Sequence, residues 1–214
     1  MSNSNVKERR HRMPYNSLYL IGLTGNIACG KSTVLAMLRE RDAAVIDADE
    51  VTRAVQQPGE PVYQTIVEAF GEEILVTPGG PIDRRRLGAI VFSNPQALRR
   101  LEQIVHPAVH TRILAWLDEV AASHRVAVID AVKLLEAGWK QVCDAVWVVT
   151  CPPEQQLRRL VEMRGMDEAE AWTRITAQPP QESRVAQADV VIDNGGALDA
   201  TRAQVDAAWA RIPA

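Results

Sequence analysis

Gly25-Asn26-Ile27-Ala28-Cys29-Gly30-Lys31-Ser32 places two glycines at the ends of a short loop, with a lysine, a hydroxyl residue and Thr33 directly after it. The pattern is G-x-x-x-x-G-K-[ST]. A loop hinged on glycines turns its backbone N–H groups inward, onto phosphate oxygens. The helix that follows, from Ser32, points its free N–H donors and positive dipole end at the same anion. Lys31 supplies a cation for β- and γ-phosphates, and the Ser32 hydroxyl supplies a ligand for Mg²⁺. Residues Gly25, Asn26, Ile27, Ala28, Cys29, Gly30, Lys31, Ser32 and Thr33 therefore form an expected ATP site, with Lys31 also catalytic.

Three acids stand at chain positions that suit such a reaction. Asp49 fits two roles equally on residue type alone: a base for an acceptor hydroxyl, or the N-cap of a helix from Glu50 onward. Asp47 reads as a structural group or one supporting a metal from behind. Asp130 fits a metal-organising acid with Ser32, or the start of a loop. Four arginines, Arg158, Arg159, Arg164 and Arg174, share a helical stretch. A closing arginine stabilises charge on a transferring phosphoryl group, and Arg164, beside Gly165, is the first choice. Arg158 and Arg159 also suit an exposed helix face. Cys29 reads as a small buried filler, or as a thiolate activated by Lys31 and the helix N-terminus.

The elements that position these residues follow from apolar runs. Leu18–Leu23, Ala43–Ile46, Val126–Ile129, Ala145–Val149 and Val190–Ile192 are short and apolar without strict alternation, as strands covered on both faces read. Asp47, Asp130 and Asp193-Asn194-Gly195-Gly196 stand at strand ends. Helical patterns over Ser32–Arg41, Pro61–Phe70, Asp83–Phe92, Pro107–Val120, Pro153–Arg164 and Asp167–Ala177 separate or flank the strands. The expected fold is α/β, a doubly wound parallel five-stranded sheet of P-loop kinase type. The stretch from about 51 to 123 exceeds what one crossover needs and reads as a helical insertion on one side of the site. His106-Pro107 could begin the last helix of that insertion, since proline suits a first helical position. Pro78-Gly79-Gly80-Pro81 reads as a surface turn.

Bulk properties exclude several classes. The chain has 214 residues, 47% hydrophobic and 24% charged, as in a globular protein. A formal net charge of −3 argues against a protein that coats nucleic acid. No apolar run nears the ~20 residues of a membrane span. Three cysteines without paired spacing, Cys29, Cys143 and Cys151, suit a reducing cytoplasm. Residues 1–17 are polar and read as a disordered extension or a misassigned start. A GTPase would carry an N-K-x-D motif, absent here, and Asp193–Gly196 matches D-x-x-G too late in the chain for a switch.

A wider set of residues carries a resemblance. Val45-Ile46-Asp47-Ala48-Asp49, Ile82-Asp83-Arg84-Arg85-Arg86-Leu87, His106-Pro107, Glu136-Ala137-Gly138, Arg164-Gly165, Gln178, and Ala188-Asp189 with Ile192–Gly196 follow the phosphate loop in order. In this order the chain from about Leu18 onward resembles the dephospho-CoA kinase family. The resemblance implies transfer of the ATP γ-phosphoryl group, with Mg²⁺, to the ribose 3′-hydroxyl of dephospho-CoA. It implies a core domain over 18–214, with a CoA-side insertion at about 51–123 and a lid at about 153–177. It favours Asp49 as the base and gives Arg84, His106 and Pro107 to the acceptor side. Asn194 and Gly195 would frame the adenine, and Arg164 would be the lid arginine. It implies a cytoplasmic enzyme, monomer or weak oligomer. The sequence departs from the family pattern at Asn26 and Ala28, where glycine is common, and at Val132-Lys133, where an apolar segment is usual. Lys133 could contact acceptor phosphates or face solvent. A kinase of a nucleoside or other small metabolite, and a non-catalytic nucleotide-binding regulator, remain open.

Overall fold

Val, Ile and Leu dominate five short segments, and five parallel strands form there. The computed structural model describes residues 17–213; the expected extension over 1–17 thus lies, but for Ser17, outside the described residues. The strands are β1 (Tyr19–Gly25), β2 (Ala44–Asp47), β3 (Val126–Asp130), β4 (Ala145–Thr150) and β5 (Val190–Asp193). Their order is β2-β3-β1-β4-β5. β1 pairs in parallel with β3, Leu23 opposite Asp130, and with β4, Gly25 opposite Val149. Helices lie on both sides of the sheet, as a doubly wound architecture requires.

The chain divides into two compact units. Among the described residues, one holds those up to Ile46 and those from Asp118 onward; the other is Asp47–Leu117. In the first unit, Ile21, Leu23, Val128, Trp147 and Val149 on the sheet meet Val34, Leu38 and Val205 in one apolar core. Burial of each large side chain stabilises the fold by roughly 1.5–3 kcal/mol. Its helices are α1 (Lys31–Arg39), α6 (Pro153–Arg164), α7 (Glu168–Thr176), α8 (Gln181–Val185) and α9 (Leu198–Trp209). α6 stops at Gly165, whose φ of 62° permits the left-handed cap. Gly165 N–H donates to Val161 O, and Met166 N–H to Leu160 O. Asp167 then starts α7, accepting from the amides of Ala169 and Glu170.

The second unit contains α2 (Ala48–Ala54), α3 (Pro61–Phe70), α4 (Arg84–Ser93) and most of α5 (Pro95–Val120). A turn through Pro78–Pro81 is closed by an antiparallel bridge between Leu75 and Ile82. The expected helix over Pro107–Val120 is corrected: the helix begins twelve residues earlier, at Pro95. Asn94 Oδ1 accepts from the amides of Gln96 (2.9 Å) and Ala97 (3.3 Å), an N-cap followed by proline at the first position. Pro107 lies inside this helix, where its missing N–H removes one rung of the ladder. Val105, Val109, Ile113 and Leu117 continue one buried stripe across it, so burial holds the helix through the proline. Among the described residues no helix is long and apolar enough to cross a membrane.

Candidate active site

The phosphate loop leaves the carboxyl end of the central strand β1. A Cβ on Gly25 would collide with the Val149 carbonyl oxygen, so only glycine lets β1 turn here beside β4. Gly30, with φ 92°, caps α1, and a Cβ there would strike the Asn194 amide. Ala28 adopts φ 56°, a conformation that favours glycine. The bonds of Thr33 N–H and Val34 N–H to Gly30 O open the α1 ladder. The amides of Lys31 and Ser32 precede that ladder and are the donors of a helix N-terminus.

These residues open onto a cleft of about 450 Å³. Asn26, Ala28, Gly30, Lys31, Ser32 and Thr33 line one wall, and Asp130 at the end of β3 stands among them. Lys31 Nζ is 3.8 Å from Asp130 Oδ1. The other wall comes from α6, with Arg159, Met163 and Arg164, and from the segment after β5, with Asn194, Gly196 and Leu198. A cation, a hydroxyl, a carboxylate and first-turn amides thus converge on one crevice beyond the strand ends.

Side chains brace the loop from behind. Arg159 donates to Ala28 O (3.1 Å) and Asn194 O (2.8 Å). Asn194 Nδ2 donates to Cys29 O (2.9 Å), and its Oδ1 accepts from Thr201 Oγ1 (3.0 Å). Ile27 N–H donates to Gln178 Oε1 (2.6 Å), and Cys29 N–H to Asn26 O (3.2 Å). Burial pushes the Cys29 thiol up to about 11, against the smaller lowering effect of Lys31. The filler reading of Cys29 is therefore the one its surroundings favour.

The second unit carries its own cleft, of about 420 Å³. Asp49, Thr52, Arg53 and Gln56 of α2 line it with Arg84, Leu87, Gly88, Val91 and Phe92 of α4. Asp47 caps α2, its Oδ1 accepting from Asp49 N–H and Glu50 N–H. The alternative that made Asp49 a helix cap is corrected, because Asp47 is the residue with extended backbone one position ahead of the helix. Asp83 caps α4 in the same way, and the amides of Arg86 and Arg85 hold its carboxyl below the usual range. Burial, and then the charge of His106, hold the His110 imidazole below its usual range.

A sequence model of the dephospho-CoA kinase family matches residues 19–200. The chain is 50% identical over 191 residues to dephospho-CoA kinase of Symbiobacterium thermophilum, covering 89% of this chain and 80% of that one. The chain belongs to the dephospho-CoA kinase family. It is similar in structure to TT1252 from Thermus thermophilus, with TM-score 0.79, 30% identity, and coverage of 92% of this chain and 99% of that one. It is also similar to dephospho-CoA kinase from Campylobacter jejuni, with TM-score 0.66, 25% identity, and coverage of 91% and 96%.

As a dephospho-CoA kinase family member, the chain distributes its expected residues unevenly. Asn26, Ala28, Gly30, Lys31, Ser32, Thr33, Asp130, Arg164 and Asn194 share the first cleft. Gly25, Ile27, Cys29 and Gly195 shape the backbone beside it; Gly195 N–H donates to Asp193 Oδ1 (2.8 Å). Asp49 and Arg84 share the second cleft, while His106 and Pro107 are exposed on α5. Lys133 is exposed on the turn after β3. Arg158 and Arg174 pair within their own helices with Glu162 (2.9 Å) and Glu170 (2.7 Å), and the exposed-face reading, made for Arg158 and Arg159, holds for Arg158. Arg159 is the bracing arginine of α6, and the sequence did not separate it from Arg158. Arg184 was missed altogether. It is buried beside Asn26, and no motif or periodicity marks it.

Proposed function

We propose that this chain transfers the γ-phosphoryl group of ATP to the ribose 3′-hydroxyl of dephospho-CoA, giving coenzyme A and ADP. The observation that carries the reading is the cleft that unites the phosphate loop, Lys31 and Asp130, in a chain of this family. The loop amides and Lys31 hold the β- and γ-phosphates and meet the charge that develops on the transferring oxygens. Ser32 and Asp130 are hard oxygen donors in one cleft, a set that fits Mg²⁺, which keeps most of its other positions for phosphate and water. Mg²⁺ when bound would neutralise phosphate charge there.

Asp49 accepts the proton of the ribose hydroxyl as its oxygen bonds to phosphorus and the bond to the ADP oxygen breaks. Arg84, in the same cleft as Asp49, offers a cation to the acceptor's phosphates. His106, Pro107 and Lys133 belong to the acceptor side in this reading. Arg164 comes from the lid, α6 and α7, which closes over ATP and excludes water. Asp47–Leu117 is the CoA-side unit, close to the insertion expected at about 51–123. The enzyme works in the cytoplasm, where the thiols of Cys29, Cys143 and Cys151 stay reduced. Lys31→Ala tests the nucleotide side directly. Turnover should fall roughly a hundredfold or more, and unchanged turnover would remove Lys31 from the mechanism.

A further inference from the structure

Arg184, in α8, is only 3% exposed, and it is bonded to side chains at the start of the phosphate loop. Its Nε donates to Asn26 Oδ1 (3.0 Å), and Asn26 is itself only 7% exposed. Its Nη1 donates to Val132 O (2.9 Å) and Thr24 Oγ1 (3.3 Å). Its Nη2 pairs with Glu136 at 3.5 Å, a carboxylate whose side chain is half exposed. Thr24 and Asn26 flank the start of the phosphate loop, while Val132 follows Asp130 by two residues. One planar guanidinium therefore joins the start of the phosphate loop to the segment that follows Asp130.

A buried cation persists only when its donors are well satisfied. Arginine suits this place because its donors lie in a rigid fork, which fixes the separation of the groups it joins. Lysine would keep the charge but not the fork. Two further bonds fasten the same stretch of chain to the loop. Asn26 Nδ2 donates to Pro179 O (3.2 Å), and Ile27 N–H to Gln178 Oε1 (2.6 Å). A glycine at position 26 would offer neither the acceptor for Arg184 nor the donor to Pro179 O, so the departure from a glycine-rich loop has a partner in Arg184.

We propose that Arg184 is a positioning residue for phosphoryl transfer, acting through Asn26 and Val132 to hold Lys31 and Ser32 in register with Asp130. The inference rests on the nucleotide binding in this cleft, as proposed above. Arg184 makes no contact with the reacting atoms. A misplacement of about 1 Å at such a site costs on the order of a hundredfold in rate, so the effect falls on turnover more than on binding.

The test compares Arg184→Lys, Asn26→Gly and the double variant in the full-length enzyme, with ATP affinity measured by calorimetry. Arg184→Lys should lower kcat by about tenfold or more and raise the Mg²⁺ concentration for half activity, while ATP affinity changes less than about threefold. Asn26→Gly should act in the same direction, and the double variant should be little worse than Arg184→Lys, because both remove one shared contact. If Arg184→Lys does not fold, Asn26→Gly decides alone: lower kcat at near-normal ATP affinity supports the proposal. Normal kcat per folded molecule in every folded variant, with only melting temperature reduced, overturns it. If the wild-type protein turns over dephospho-CoA and the variants match it, only this inference fails. If the wild type does not bind ATP, the proposed function fails and takes the inference with it.

Discussion

Asp47 holds the amide of Asp49 at 2.8 Å through its own carboxylate, so the acid that ends β2 caps a helix and the next one lines the cleft with Arg84. The two acids separate cleanly by experiment. Asp47→Ala should destabilise the protein by about 1 kcal/mol, the usual loss for a capping side chain. Asp49→Asn keeps the shape and should leave the melting temperature near normal while lowering turnover about a hundredfold or more, with ATP affinity little changed. Near-normal turnover in Asp49→Asn would remove it as the base.

Cys29 gives a pH-dependent outcome. Its folded pKa, about 11, lies above the ordinary 9.0 because burial disfavours the thiolate. At pH 8 only about one Cys29 in a thousand is ionised, so the folded protein should resist iodoacetamide there. Mass spectrometry should find the partly exposed Cys143 labelled first. The sign for stability follows from the raised value. The contribution of the neutral thiol is fully present below pH 9 and is lost as pH rises toward 11. Cys29→Ala should show a shallower loss of stability between pH 9 and 11 than the wild type. Rapid labelling of Cys29 at pH 8, with protection by MgATP, would contradict this.

The strands and their terminal acids were legible because apolar runs and a loop motif are local signals. Pro61–Phe70 was read to the residue, since proline opens it and Gly71 closes it. The start of α5 was missed, although Asn94-Pro95 is a capping signal; the more conspicuous Pro107 drew the boundary. Arg159 and Arg184 were not legible for a different reason. Arg159 reaches Ala28 across 131 positions and Arg184 reaches Asn26 across 158, and no spacing rule operates over such separations. Arg159 and Arg158 differ only in which side of α6 they occupy, a distinction settled by packing.

Ala28 tests the strain in the loop. Its left-handed backbone costs a residue with a Cβ about 1–2 kcal/mol. Glycine removes that cost but returns about 0.4–1 kcal/mol of freedom to the unfolded chain. Ala28→Gly should therefore be neutral or slightly stabilising in thermal unfolding, with activity retained. A clear fall in melting temperature would show that the methyl group contributes packing that outweighs the strain.

Hydrogen exchange tests the lid. Few side chains of α6 and α7 are buried; Gln156, Leu160 and Ala171 are, whereas Met163 and Trp172 are exposed. Elements with so little burial open readily. Exchange over Pro153–Ala177 should slow when ATP and dephospho-CoA are both bound. Unchanged exchange under verified saturation would contradict closure.

The identity and position of phosphorylation test the central claim most directly. The purified protein would be given MgATP and, separately, dephospho-CoA, nucleosides, nucleoside monophosphates and shikimate, with ADP release followed and each product located by NMR. Dephospho-CoA should have the highest kcat/KM, and its product should carry the new phosphate on the ribose 3′-oxygen. A higher kcat/KM for another acceptor, or phosphate on a different oxygen of dephospho-CoA, would contradict the account.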